Sequence, residues 1–388
     1  MAVLRDVVRR RGIAATLARM TLLERLQRNC AAVPNFGAIV LRGDDVALAH
    51  APDVPLCACS TIKVAVAMAV MTLVQDGALE LDARVVDLDS ALPFADRAHA
   101  QRITLRHLLS HTGGLDDTNE VEADPRTALP RLSVVAEPGR AFRYSNVAFD
   151  IAHEVAARVA GVDAFTLLRT RVLDPLGMTA TQPRATFPRG VLETTARDLA
   201  RVATELLGGG RVVNATSRAE LTRIHADSYT AAASRYYGLG IGIERWDDFT
   251  LLQHGGGLGR YGSAFVVDPT ARAAAVFVFD DPAGYAVSPH AYFDAVLGRE
   301  THAPKTRAAS VDWRAYLGRY SNGAVLADEA GAFVLHWNGA RTPLTAYDER
   351  VFSGRGRISV GLLPGEPTMI SANNFILIGA RPGMRIGV

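Results

Sequence analysis

Ser60-Thr61-Ile62-Lys63 is followed without a break by Val64-Ala65-Val66-Ala67-Met68-Ala69-Val70-Met71-Thr72-Leu73-Val74. The apolar run is well short of the about 20 residues that span a bilayer, so it reads as a buried central helix. Positions i and i+3 share one face of a helix, which places the Lys63 amine beside the Ser60 hydroxyl. A serine so placed can be activated as a nucleophile. S-x-x-K is a short motif, and composition is what gives it weight. Of the 42 Lys plus Arg residues only two are lysines, Lys63 and Lys305. A guanidinium cannot give up its proton in a protein, whereas a desolvated ammonium can, so Lys63 reads as a place where chemistry needs an amine, while Lys305 falls in a linker where any solvated cation would do. The arginine-rich background itself reads as a coding bias.

With 388 residues, 49% hydrophobic and 21% charged, the chain has ample core for one large domain or two. Net charge is +2 with acids and bases interspersed, so neither nucleic acid nor a membrane surface is an expected partner. Leu4, Val8, Ile13, Leu17, Leu22 and Leu26 suit an amphipathic helix within Met1–Asn29, which lacks the cleavage site of a signal peptide. Cys30, Cys57 and Cys59 are odd in number and lack zinc-site spacing, which points to a reduced, cytoplasmic setting. Cys57 and Cys59 read as small buried hydrophobes. No H-E-x-x-H and no carboxylate cluster with a glycine turn occurs, and no metal or organic cofactor is expected.

Gly37–His50 reads as a hairpin turning at Arg42-Gly43-Asp44-Asp45. From about residue 60 to 210 the pattern is helical, with helices expected at Val64–Asp76, Leu105–Ser110, Ala148–Ala160 and Ala196–Leu207. Strands resume at Tyr237–Glu244, Phe249–His254, Tyr261–Asp268 and Ala273–Phe279, and a helix at Ser288–Leu297 closes this body. The expected fold class is α+β, an antiparallel sheet flanked by helices with a helical region inserted. Residues 1–300 would form this domain and 301–310, with Lys305, a linker. Residues 311–388 would form a small all-β unit, a barrel or curled sheet, with strands at Tyr316–Tyr320, Phe333–Trp337, Ile358–Leu362 and Phe375–Ile378.

Acyl transfer at Ser60 needs a group to pass the proton, donors for the oxyanion and a hold on the substrate. Tyr144-Ser145-Asn146 precedes a helix and can project into the cleft, with Tyr144 as base and Asn146 donating its amide to a substrate carbonyl. His254-Gly255-Gly256-Gly257 ends a predicted strand, where glycines permit close approach to a ligand. The N–H groups of Ser60 and Gly257 would form the oxyanion hole, with His254 and Gly256 lining the substrate wall. His107 and His111 read as structural.

In this order and spacing, S-x-x-K, Y-x-N and H-x-G resemble the serine β-lactamase and penicillin-binding-protein superfamily, specifically its class C, D-peptidase and esterase branch. The segments Ile103–Leu115, Asp174–Met178 and Thr194–Ala200 fit the same pattern. The tail looks like the lipocalin-like β domain of some members. The resemblance implies Ser60 as the acylated nucleophile, Lys63 and Tyr144 as its proton partners and Asn146 as a substrate contact. His254 stands where many members carry the lysine of K-T-G, a departure that weighs against β-lactamase activity. The expected activity is hydrolysis of a small ester or amide, esterase or D-amino-acid amidase in type, on a small-molecule or peptide-like substrate. A biosynthetic acyltransferase or peptide cyclase would use the same acyl-enzyme. A catalytically inactive binding relative is disfavoured by Ser60, Lys63, Tyr144 and Asn146 occurring together. Sequence alone leaves the oligomeric state open.

Overall fold

Every residue of Ala273–Phe279 is buried, although a strand with one wet face would alternate. Its two faces enter different cores. Ala274, Val276 and Val278 pack against the helices of the inserted region, whereas Ala275, Phe277 and Phe279 pack against Phe36, Val40 and Phe293 on the opposite side. A continuous apolar run is therefore what this position demands.

The computed structural model describes residues 33–116, 128–187, 191–229, 235–246, 248–287, 289–298, 312–320, 323–347, 350–354, 358–363, 369–372 and 375–378, with Glu24 and Arg28. The expected N-terminal helix lies outside these residues save for those two; Cys30, Lys305 and the 301–310 linker lie wholly outside them. The principal elements are β1 (Phe36–Arg42), β2 (Asp45–His50), α1 (Ile62–Gln75), α2 (Leu105–Leu109), α3 (Asn146–Val159), α4 (Ala164–Leu168) and α5 (Ala196–Thr204). They continue with β3 (Ala226–Asp227), β4 (Tyr236–Tyr237), β5 (Gly242–Arg245), β6 (Thr250–Leu258), β7 (Tyr261–Asp268), β8 (Ala273–Phe279) and α6 (Pro289–Leu297). The eight strands form one sheet in the order β2-β1-β8-β7-β6-β5-β4-β3. Each of its pairings is antiparallel, so strands from both ends of the segment meet around a helical insertion. Among the described residues no helix is long and apolar enough to cross a membrane.

Helix α1 runs through the helical side of this body with Val64 to Leu73 all buried. Its alanines at 65, 67 and 69 let neighbours approach closely. One such neighbour is the turn between β4 and β5. Gly240 there has φ +75°, and a Cβ on it would stand 2.8 Å from Ala67 Cβ and 3.0 Å from the Lys63 carbonyl. This turn splits the single strand expected over Tyr237–Glu244. A second difference concerns the glycine run. β6 does not stop at His254 but continues to Leu258, with Gly255 opposite Ala264, Gly256 opposite Ser263 and Gly257 opposite Gly262. Helix α5 ends at Thr204, short of Leu207, and a wider turn follows over Glu205–Gly209. Short strands at Leu56–Cys57 and Leu192–Thr194, not expected from sequence, pair beside the start of α1.

Toward the C-terminus, a four-stranded and a five-stranded antiparallel sheet surround Tyr320, Leu326, Phe333, Leu335, Phe352 and Val360. The expected strand at Tyr316–Tyr320 is reduced to Gly318–Arg319 after a short helical turn at Arg314–Tyr316. Leu363 packs with Ala136 and Ala141, which precede Tyr144 in the chain, so these sheets buttress the segment leading into the site.

Candidate active site

The turn carrying Ser60 is held from two directions. The Ala58 carbonyl accepts hydrogen bonds from Thr61 Oγ1 and Ser263 Oγ, each at 2.6 Å, which ties the turn to β7. Cys59 takes φ +46°, a left-handed conformation that costs a residue with a Cβ about 1–3 kcal/mol. From the other side β6 presses in. A Cβ on Gly256 would lie 2.5 Å from Ser60 N and 2.6 Å from Cys59 Cβ, so the strand reaches the Ser60 backbone only because this residue is glycine.

Within the first turn of α1, Lys63 Nζ lies 3.3 Å from Ser60 Oγ and donates to Asn146 Oδ1 at 2.8 Å. Asn146 opens α3, whose start is set by Ser145 Oγ accepting the Ala148 N–H at 3.0 Å. The bond to Lys63 fixes the Asn146 amide so that oxygen faces the amine, leaving its NH2 as a donor for something else. Nζ also stands 5.2 Å from the centroid of the Tyr144 ring and 5.9 Å from that of Phe149. The Tyr144 Oη is buried and has no hydrogen-bond partner among the described residues. Leaving a buried hydroxyl unpaired costs about 1–3 kcal/mol.

His111 sets the position of Tyr144. Its carbonyl accepts the Arg143 N–H at 2.7 Å and its Nδ1 accepts the Ser145 N–H at 3.1 Å, so one residue holds the peptide on both sides of the tyrosine. Its ring lies 4.2 Å from that of Tyr144, centroid to centroid. Burial, with Lys63 and His254 nearby, pushes its pKa well below the usual histidine value, and the ring is neutral. His107, by contrast, caps α2 through reciprocal bonds with Thr104.

His254 sits differently from the sequence reading, which put it on the substrate wall. It is buried, and its Nδ1 lies 2.7 Å from the Gly255 carbonyl, which can only accept. Nδ1 therefore carries the proton, and Nε2 accepts from the Tyr237 hydroxyl at 2.9 Å. Burial and Lys63 hold its pKa down at about 3, so it offers a substrate neither charge nor a free N–H. Burial raises the Tyr237 pKa well above the usual value, keeping that hydroxyl protonated as the donor.

A cavity of about 170 Å³ opens beside Ser60. Ser60, Lys63, Asn146 and Gly257 line it, whereas Tyr144, His254 and Gly256 do not. The Beta-lactamase family profile matches residues 23–297, well over half of the chain. This chain belongs to the Beta-lactamase family. Penicillin-binding protein 4 of Amycolatopsis lactamdurans is 25% identical over 268 residues, covering 56% of this chain and 70% of that protein. Among solved structures, SurE with D-Leu superposes with a TM-score of 0.72 at 21% identity, covering 92% of this chain and 98% of that one. A D-stereospecific amidohydrolase from Streptomyces gives 0.60 at 20% identity, covering 70% and 98%. These structural likenesses establish the shared fold.

Within this Beta-lactamase-family site, sequence reasoning missed Tyr237 and the part played by His111. Tyr237 lies on a two-residue strand with no motif around it. His111 was open to detection, because a histidine amid Ser110, Thr112, Gly113 and Gly114 at the end of an apolar helix is unlike a core residue. Gly257, Gly259 and Gly262 also spell G-x-G-x-x-G, but they lie in the β6–β7 hairpin and not at a strand-to-helix turn, so the dinucleotide reading of that motif does not apply.

The buried histidines make stability depend on pH. An unfolded histidine takes up a proton below about pH 6.5. The folded chain resists this at His111, at His254 down to about 3 and at His153, where burial sets the value at about 4. Their contribution is complete above pH 6.5 and is lost as pH falls toward the folded values, by about 2 kcal/mol for each of His153 and His254 by pH 5, with His111 adding in the same direction. Thermal unfolding should shift to markedly lower temperature between pH 7 and pH 5. A midpoint that stays flat over that range would contradict the neutral buried assignment.

Proposed function

We propose that this chain is a serine hydrolase acting through a covalent acyl-enzyme at Ser60 on a small ester or amide, of D-amino-acid amidase or esterase type. One observation carries the reading: Ser60 Oγ, Lys63 Nζ and Asn146 Oδ1 are linked at 3.3 and 2.8 Å at the wall of a cavity that reaches Gly257. Ser60 Oγ attacks the substrate carbonyl while its proton passes to Lys63 or Tyr144. The oxyanion takes N–H bonds from Ser60 and Gly257, and collapse expels the leaving group, which receives the proton. Water then attacks the ester and frees Ser60. The likeness to a D-stereospecific amidohydrolase and to SurE with D-Leu supports a D-configured substrate.

The test is phosphonylation by a fluorophosphonate probe, followed by intact mass and peptide mapping. One adduct on the peptide containing Ser60 is expected, with loss of fluoride. An unlabelled chain, or label on another residue, would overturn the assignment. Product analysis with added D-amino-acid amines separates hydrolysis from transfer, since a transferase would yield a new amide where a hydrolase yields only free acid.

A further inference from the structure

The cavity beside Ser60 extends inward among α1, α3 and α4. Its inner wall is Ile62, Val66, Phe149, Phe165 and Leu168, joined by His153. Phe149 and Leu168 are each only 2% exposed, so this wall belongs to the interior of the fold. An apolar cavity of about 150 Å³ accepts benzene. At about 170 Å³ this one has room for a single six-membered ring. Two charged residues reach it, Lys63, already bonded to Asn146, and Asp150, which is exposed to solvent. His153 adds no charge at neutral pH, since burial lowers its pKa to about 4.

A substrate has two ends, and chemistry chooses which one enters. The leaving group must depart and water must take its place. A group seated behind Ser60 among three helices would be trapped by the acyl chain in front of it. The part that stays on Ser60 is therefore the part that fits there.

Resting on the acyl-enzyme reading above, we infer that the cavity selects the acyl group by its side chain, favouring an apolar substituent as large as one phenyl ring and rejecting acidic substituents. The step is acylation of Ser60 Oγ: its bond to the acyl carbon forms, the bond from that carbon to the leaving oxygen breaks, and the serine proton ends on the leaving group. The probes are p-nitrophenyl acetate, phenylacetate and hydrogen succinate, each corrected for its own rate with hydroxide and each checked by mass for an adduct on Ser60. Phenylacetyl should acylate at least tenfold faster than acetyl, and succinyl more slowly than acetyl, in line with what a hydrophobic pocket can discriminate. Val66→Trp, which fills the cavity, should bring the phenylacetyl-to-acetyl ratio down at least tenfold. Leu168→Ala, which enlarges it, should raise naphthylacetyl relative to phenylacetyl, and this variant decides the matter if the first fails to fold. Equal rates for the three esters would overturn the inference while leaving Ser60 acylated. Absence of any adduct on Ser60 would instead remove the acyl-enzyme reading on which it stands.

Discussion

Lys63→Arg is expected to lower kcat/KM for an activated ester by about three orders of magnitude while preserving the charge. General-base assistance contributes about 10²–10⁴ to such reactions, and arginine cannot supply it because its guanidinium stays protonated. Shape adds to the loss. Lys63 Nζ occupies a confined place between Ser60 Oγ at 3.3 Å and Asn146 Oδ1 at 2.8 Å, over the Tyr144 ring. A planar fork there would displace the Asn146 amide that the amine now orients. Lys63→Ala separates the two causes. Small primary amines added to the solution should restore part of its turnover, and they should do nothing for the arginine variant, whose side chain fills the space. Far-ultraviolet circular dichroism should match the wild type in both. Turnover within tenfold of wild type for Lys63→Arg would remove Lys63 from proton transfer.

Sequence carried the parts of this site that local chemistry specifies. Ser60 and Lys63 are one helical turn apart, so their contact follows from spacing alone. Tyr144 and Asn146 were legible as a pair from their Y-x-N spacing between a loop and a helix, but the cap at Ser145 was not, and it starts α3 at Asn146, two residues before the expected Ala148. Ala273–Phe279 was legible as a strand because both faces are buried and every position is apolar. What escaped were relations between distant segments. His254 follows Leu251-Leu252-Gln253 and precedes three glycines, and nothing near it in sequence says that Tyr237 will occupy its Nε2. The end of β6 was misplaced for a related reason. Glycines have poor strand propensity, and here the strand persists through them because the Ser60 turn leaves no room for a side chain at Gly256. Toward the C-terminus, strands such as Ala340–Pro343 carry polar residues and a proline, and their pattern is weak because they lie in a small sheet with limited burial.

Gly256→Ala should reduce kcat by about 10²–10³, the cost of disturbing oxyanion donors. A methyl group at this position would meet Ser60 N at 2.5 Å, Cys59 Cβ at 2.6 Å and Ser263 Oγ at 2.9 Å. The first is backbone and the second is held by a turn bonded through the Ala58 carbonyl, so neither can swing aside. The strand must instead move off the Ser60 turn, and Gly257 moves with it, separating its N–H from that of Ser60. Overpacking of this kind also costs about 1–3 kcal/mol of stability, which a lower unfolding midpoint would register. Gly255→Ala is the control, one residue away on the same strand. A Cβ there meets nothing within 4 Å, so its turnover should remain within about twofold of wild type. If the two alanine variants behaved alike, the close approach of β6 would have no part in catalysis. A loss confined to Gly256→Ala, in kcat more than in KM, places the effect in the transition state, where the oxyanion forms.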